Sequence, residues 1–394
     1  MMRTAPSYHK YNAFSSMHDK SYPTNCKEFC ICRPVTTSKD NEVSVEENLF
    51  QFDLPSISIK DQNDKIEGVD GMSEWMRWHY RLGHMSFRKM KILCTMGFLP
   101  KRFLKLKNPK CAGCLYGSMT RQPWRNKGQS NVRSIHKSSR PGQCISIDQM
   151  ESSTPGFIAH TKGILTRHRY TSATIFVDHF SRLSSIHMQK SLSSEDTLPS
   201  KYAFESYAKK RGVMVLHYHA DNGRFADNLF MKSVRDNKQT ISFCGVNAHF
   251  QNGIAEKCIR DLQDGARRLL LHAKSRWSKA IHDSLWPYAL LTFNTINNQL
   301  PDLVNGSCKV EKFTNVSVAP RLKSFHTWGC PVFALDDNLQ SGKKINKWNT
   351  RCRLGVSLGH SPRHAASVSL VLNLKTGNIS RPNIMPNMMI SLRP

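Results

Sequence analysis

Three carboxylates are of the type and spacing that hold divalent cations: Asp148 in CISIDQ, Asp221 in HYHADNGRF and Glu256 in FQNGIAEKCIR. The first two each close a strand-like run, and the third stands in the opening turn of a long helical segment. They are separated by 72 and 34 residues, so only folding can bring them together. Hard cations prefer oxygen ligands, and magnesium takes one or two carboxylates with phosphate oxygens from its substrate. An acidic cluster in a chain of formal net charge +28 points to chemistry on a nucleic-acid backbone. Two of these assignments have rivals. Glu256 alone would be an ordinary helix N-terminal charge, and Asp178, which also ends a strand, competes with Asp148.

A second constellation is His79 and His84 in WHYRLGH, with Cys111 and Cys114 in CAGC. Positions five apart on one straight helix diverge by roughly 140°, but Gly83 allows a break that turns His84 back toward His79. Two imidazoles and two thiolates make a closed tetrahedral site for one structural Zn2+. A short segment with few core residues needs such a staple.

The elements that must position these residues follow a legible order. From residue 74 to about 125, Trp75, Trp78, Leu82, Phe87, Met90 and Leu93 suit a compact helical module broken at Gly83. Strands are expected at 143–148, 170–178, 183–188, 213–219 and 240–244. Helices are expected at 195–210, 228–236, from Asn252 to about 273, and 286–297. Three strands, then helix, strand, helix, strand and long helices, is the order of a ribonuclease-H-like α/β fold with a mixed five-stranded sheet. Its first strand neighbours its fourth, which favours Asp148 over Asp178. Beyond residue 318 the pattern turns β-rich, with Lys375-Thr-Gly-Asn378 a hairpin turn.

This divides the chain into a mostly disordered leader (1–70), a helical His/Cys zinc domain (71–125), a linker (126–140), a catalytic core (141–305), a small β-rich domain (318–380) and an unstructured tail (381–394). The leader holds Cys26, Cys30 and Cys32, read as incidental cysteines. It carries 8 basic and 11 acidic residues, so the rest of the chain holds a net +31. A region that basic attracts polyanions by counterion release. The 12 cysteines are irregularly spaced with no signal-peptide pattern ahead of them, an arrangement expected of reduced thiols in an intracellular protein. Apolar runs fall short of a membrane span.

WHYRLGH…CAGC, IDQ, YTSATIFVDHFSR, HADNGRF and QNGIAEKCIRDLQDGAR together resemble the integrase of copia-type long-terminal-repeat retrotransposons. FHTWGCPVFAL, RLGVSLG and VLNLKTGNIS resemble the β segment that follows that core. The resemblance covers roughly residues 75–380. It implies a zinc-binding pre-integrase domain, a catalytic core with the triad Asp148, Asp221 and Glu256, and DNA as substrate. The implied reaction is two-metal phosphoryl transfer, with two Mg2+ (or Mn2+) per site. Asp148 would bridge the pair while Asp221 and Glu256 each complete one cation. The nucleophile is water when the element's end is trimmed and a freed 3′-hydroxyl when that end joins target DNA.

Asn252 is expected at the nucleic acid and, with Gly253, to shape the approach to Glu256; Lys257 and Arg260 lie on the same helix, Arg260 on the face of Glu256 at i+4, and are either phosphate contacts or solvated helix charges. His219, two residues before Asp221, is either a metal-supporting or a packed histidine. The spacing from Asp221 to Glu256 is one residue shorter than the family's usual interval, and the pattern dissolves after Ser380, as in a fragment of an element. Two other readings stay open: an inactive integrase-derived DNA-binding or assembly protein, and a nuclease acting on RNA–DNA hybrids. Self-association, a nuclear destination after cytoplasmic particles, and no membrane partner complete the expectations.

Overall fold

The computed structural model describes residues 70–119, 138–159, 167–221, 223–245, 252–317, 322–361 and 368–380. The leader, the Cys26/Cys30/Cys32 group, most of the 126–140 linker and the 381–394 tail lie outside the described residues.

Five strands form the first sheet: β1 (Ile145–Gly156), β2 (Tyr170–Asp178), β3 (Ser184–Gln189), β4 (His217–Ala220) and β5 (Thr240–Phe243). Their order is β3-β2-β1-β4-β5. β1 runs antiparallel to β2 and parallel to β4, so the sheet is mixed. The β-branched run of β2 suits its central place, where it is buried from Ser172 to Asp178.

Helices cover both faces. Ile145, Ile147, Tyr218 and Ala220 pack against α4 (Ser194–Lys209) and α5 (Asn228–Asp236) through Phe204, Phe230 and Val234. On the other face Met150, Ala173, Ile175 and Val177 meet α6 (Gly253–Arg276) and α7 (Trp286–Gln299) through Leu262, Ala266, Leu269 and Leu290. Side chains alternate along a strand. Asp148 therefore shares the face of Met150, turned toward the layer that contains α6.

Two expectations are corrected here. β1 does not stop at Asp148: it continues to Gly156, because β2 is long enough to pair with it as far as Gly156↔Tyr170, across a register shift after Glu151. The polar stretch QMESSTPG hides this extension, since its strand character comes from its partner. β4 begins at His217 rather than Val213. Before it, Gly142 occupies the space: its φ is +78°, and the Leu216 N–H donates to its carbonyl at 2.9 Å.

The amino-terminal module contains α1 (Asp70–Arg81), α2 (Phe87–Thr95) and α3 (Ala112–Ser118). Its core of Trp75, Trp78, Leu82, Met90, Leu93 and Phe103 also includes Ile296 of α7 and Phe325. Burying a tryptophan as completely as Trp75, at 0% exposure, is worth about 3–5 kcal/mol against alanine. The apolar core and a metal would thus both contribute to holding this module.

The carboxyl-terminal sheet is antiparallel, ordered β6 (Pro331–Leu335), β7 (Cys352–His360), β8 (Ser369–Asn373) and β9 (Ile379–Ser380). The expected hairpin joins β8 to β9, with Gly377 at φ +66° and its N–H donating to the Asn373 carbonyl. Val356, Leu358, Leu372 and Trp328 enter the same apolar cluster as α6 and α7. This sheet and the five-stranded core thus share one interior. No helix among the described residues is long and apolar enough to cross a membrane.

Candidate functional site

The parallel ladder of β1 and β4 ends at Ile147↔Ala220. The next residues on the two strands are Asp148 and Asp221, which places two carboxylates side by side where β4 leaves the sheet. Neighbouring strands lie roughly 4.8 Å apart, so this adjacency follows from register alone. Asp148 Oδ1 accepts the Gln149 N–H at 2.8 Å.

Glu256 stands in the first turn of α6. That turn is fastened to β1 by Asn252, whose Nδ2 donates to the Ile147 carbonyl at 3.0 Å. Ile147 immediately precedes Asp148, so one hydrogen bond ties the start of the Glu256 helix to the strand bearing the first acid. A buried thiol reports where the three charges fall. Burial, then Asp221, Glu256 and Asp148 in that order, push the Cys244 thiol up from its ordinary value. All three carboxylates are thus near enough to act on the Cys244 thiol, but among the described residues only His79, His84, Cys111 and Cys114 bring ligand atoms close enough together to share one ion. The all-oxygen donors of the three acids suit magnesium or manganese.

Asp178, the rival to Asp148, has other work. It is 0% exposed and accepts the Gly142 N–H at 2.9 Å and both the N–H and the hydroxyl of Ser181 at 2.7 Å. Those donors close the turn between β2 and β3. His219 is buried, with Nδ1 at 2.9 Å from Ser242 Oγ and Nε2 at 3.6 Å from Cys244 Sγ. It joins β4 to β5 in the layer beneath the acids.

Asn252 does not lie where a phosphate contact would. It is 2% exposed, and its Nδ2 anchors the helix; the sequence reading of Asn252 as a nucleic-acid contact is corrected to an internal tether. The reason is tertiary, because only the docking of α6 on β1 buries the position. Lys257 and Arg260 are both exposed on α6. Lys257 Nζ lies 3.4 Å from Asp261 with both side chains largely in solvent. Such a pair is worth well under about 1 kcal/mol and leaves the ammonium available to another anion.

The second constellation comes together in the helical module. The ligand atoms of His79, His84, Cys111 and Cys114 all lie within 4.8 Å of one another. Gly83 at φ +65° and His84 at φ +62° both take left-handed backbone, and the His84 N–H returns to the His79 carbonyl at 2.8 Å. A non-glycine residue held there carries strain that persists only where its surroundings enforce it.

His79 Nδ1 lies 2.8 Å from the Met85 carbonyl. A carbonyl only accepts, so Nδ1 carries the proton and the Nε2 lone pair points at Cys114 Sγ, 3.3 Å away. His84 presents Nδ1 to Cys111 Sγ at 3.4 Å and to Cys114 Sγ at 3.6 Å. Burial pushes the His84 imidazole below its ordinary value, keeping it neutral. The bond from Cys114, helped by the two imidazoles, holds the Cys111 thiol well below the usual thiol range. Neutral imidazoles and a ready thiolate are the states zinc ligation requires.

Sequence reasoning missed what supports this cluster from outside. α3 lies along α6: Arg267 Nη1 donates to the Gly117 carbonyl at 3.4 Å, and Arg268 Nη1 to Ser118 Oγ at 3.2 Å. A Cβ on Gly117 would stand 2.8 Å from the Arg268 side chain. His272 of α6 faces His84, ring centroids 5.1 Å apart. The glycines of CAGCLYG were the only local signal for this close approach.

Residues 48–119 match the GAG-pre-integrase domain family. The chain is 26% identical over 314 residues to the retrovirus-related Pol polyprotein from transposon RE1 of Arabidopsis thaliana, covering 77% of this chain. To that of transposon RE2 it is 25% identical over 306 residues, again with 77% covered. The chain is thus similar over most of its length to two retrovirus-related Pol polyproteins. It spans 19% and 18% of the length of those two relatives. Structural similarity extends to the HTLV-2 integrase catalytic core in complex with magnesium, at 18% identity and TM-score 0.32, covering 45% of this chain and 99% of that one. It extends also to the simian T-cell lymphotropic virus intasome in complex with PP2A regulatory subunit B56 gamma, at 16% identity and TM-score 0.35. That match covers 66% of this chain and 82% of the other.

Proposed function

We propose that this chain is a copia-type DNA integrase, trimming the ends of element DNA and joining them to target DNA. The observation that supports the reading is the adjacency of Asp148 and Asp221 at the ends of β1 and β4, with the start of the helix that bears Glu256 tied to β1 by Asn252. Asp148, Asp221 and Glu256 would hold two magnesium ions, which when bound supply Lewis-acid stabilisation of the attacking and leaving oxygens. The chain's own part is to position. The β1–β4 register sets the two aspartates side by side, and the Asn252 tether holds the start of the Glu256 helix against β1. Lys257 and Arg260 contact phosphates flanking the reacting bond. His79 through Nε2, His84 through Nδ1, and the Cys111 and Cys114 thiolates hold one zinc. That zinc fixes α3, and so braces the face of α6 away from Glu256.

The partners are element ends, target DNA and further copies of the chain, and the place of action is the nucleus. The test is strand joining: purified protein, magnesium and a matching terminal-repeat end should give joined plasmid. Asp221→Asn should abolish joining while thermal unfolding stays unchanged, and equal joining by both proteins would remove Asp221 from the mechanism. A second reading, an inactive DNA-binding or assembly protein, draws on the interval of 34 residues between Asp221 and Glu256. It predicts salt-sensitive DNA binding with no magnesium-dependent joining by the parent protein.

A further inference from the structure

The segment between α8 (Asp337–Gln340) and β7 builds an exposed tip whose residues the proposed catalytic site does not use. Its base is closed by backbone bonds: Lys343 N–H to the Asn338 carbonyl at 2.8 Å, and Asp336 N–H to the Arg351 carbonyl at 3.0 Å. Gly342, at φ +76°, lets the chain turn outward. At the far end the Asn349 N–H donates to the Asn346 carbonyl at 3.1 Å. This turn puts Lys347 and Trp348 at its two corners.

Trp348 is 91% exposed, whereas Trp75 and Trp328 are almost wholly buried. Lys347 Nζ stands 5.7 Å from the centre of its ring. Lys343, Lys344 and Arg351 are exposed on the same loop, and no Asp or Glu occurs from 338 to 380. A flat exposed ring with several cations on the same loop matches a polyanion that also carries flat apolar faces. Nucleic acid is such a polymer, but only an unpaired strand leaves its base faces open to an aromatic side chain. A membrane surface suits the loop less well. Apart from Trp348 its only large apolar residue is Ile345, which is partly buried, so little would enter the lipid.

We propose that the 341–351 loop is a single-strand nucleic-acid site: Trp348 stacks on an unpaired base, and Lys343, Lys344, Lys347 and Arg351 neutralise the neighbouring phosphates. It rests on the nucleic-acid reading given above, but on a different sheet and on none of the same residues.

The test uses the full chain with zinc, a labelled oligothymidylate of about a dozen nucleotides, and a duplex of equal length. Trp348→Ala should weaken binding of the single strand by roughly tenfold or more, and leave duplex binding within about twofold. Trp348→Tyr, which keeps a stacking face, should retain most of the affinity, and thermal unfolding of both variants should match the parent. Replacing Lys343, Lys344 and Lys347 together with Ala should reduce the slope of log affinity against log salt by about 2, at about 0.7 per phosphate contact on single strands.

Equal single-strand affinity for Trp348→Ala and parent overturns the proposal while the integrase reading stands. A parent that binds neither strand nor duplex fails both. Trp348-dependent binding to phosphatidylserine vesicles, without competition by the oligonucleotide, would assign the loop to a membrane instead and also overturn it.

Discussion

One sulfur atom tests the zinc proposed for the amino-terminal module. Cys111→Ser keeps size but removes a soft donor, so the protein should lose its one equivalent of zinc and melt at a lower temperature. Metal analysis by mass spectrometry checks the first outcome and calorimetry the second; zinc retained at full stoichiometry would count against the ligand set. The histidines of the core make a separate prediction about acid. Burial holds His187 at about 4 against an ordinary 6.5, so the folded chain keeps it neutral. The unfolded chain takes up the proton first. Stability from this group is therefore complete above about pH 6.5, declines as pH falls toward 4, and levels off below. His187→Gln should make denaturant-derived stability less steep across that window, and an unchanged slope would show that the site is solvated.

Residue types were the most legible part of this chain. The His/Cys pairs and the three acids stand out because their chemistry is carried by side chains visible in one dimension. Asn252 misled at the same scale. Next to a helix start, an asparagine reads as a surface or capping residue, and nothing nearby in sequence announces the β1 carbonyl that takes its Nδ2. Asn252→Ala should lower strand joining more than it lowers stability, because it loosens Glu256 against Asp148 and removes one buried hydrogen bond worth about 1 kcal/mol. Joining rates and unfolding midpoints measured on the same preparation compare the two losses.

Helices and strands were readable in kind and less so in extent. Long periodic elements such as α6, and β-branched ones such as β2, carry their own signal, whereas β1 beyond Asp148 is a strand only because β2 pairs with it. The close approach of α6 and α7 is likewise a tertiary fact. Gly265 meets the Phe293 ring so closely that an added Cβ would collide with it. Gly265→Ala gains about 1 kcal/mol of helix propensity, but overpacking costs about 1–3 kcal/mol. The net should be destabilisation, read as a lower denaturation midpoint; a more stable variant would mean that the helices can separate without loss.

Over the whole molecule the net charge sets the response to salt. With residues 71–394 holding +31, duplex DNA affinity should fall by roughly 10³-fold or more between 50 and 200 mM salt if six or more phosphates are contacted. A fluorescence-anisotropy titration across that range measures the slope, and a flat line would point away from a backbone-bound substrate. The same scale explains why the carboxyl-terminal sheet is not a separate body: Trp328, Val356 and Leu372 lie in one apolar cluster with α6 and α7. Sequence patterns marked its strands but could not say what their buried faces would meet.

Composition, side-chain chemistry and local periodicity settled in advance that this chain is basic, contains a mixed α/β core and carries a His/Cys set suited to a metal. Those properties are local, held by each residue or by its near neighbours in the chain. Which aspartate stands beside Asp221 was decided by strand register, which sets Asp148 there and leaves Asp178 bonded to Gly142 and Ser181. That Asn252 is internal while Trp348 stands in solvent was decided by burial, which depends on segments a hundred residues apart and is written in no single stretch of sequence.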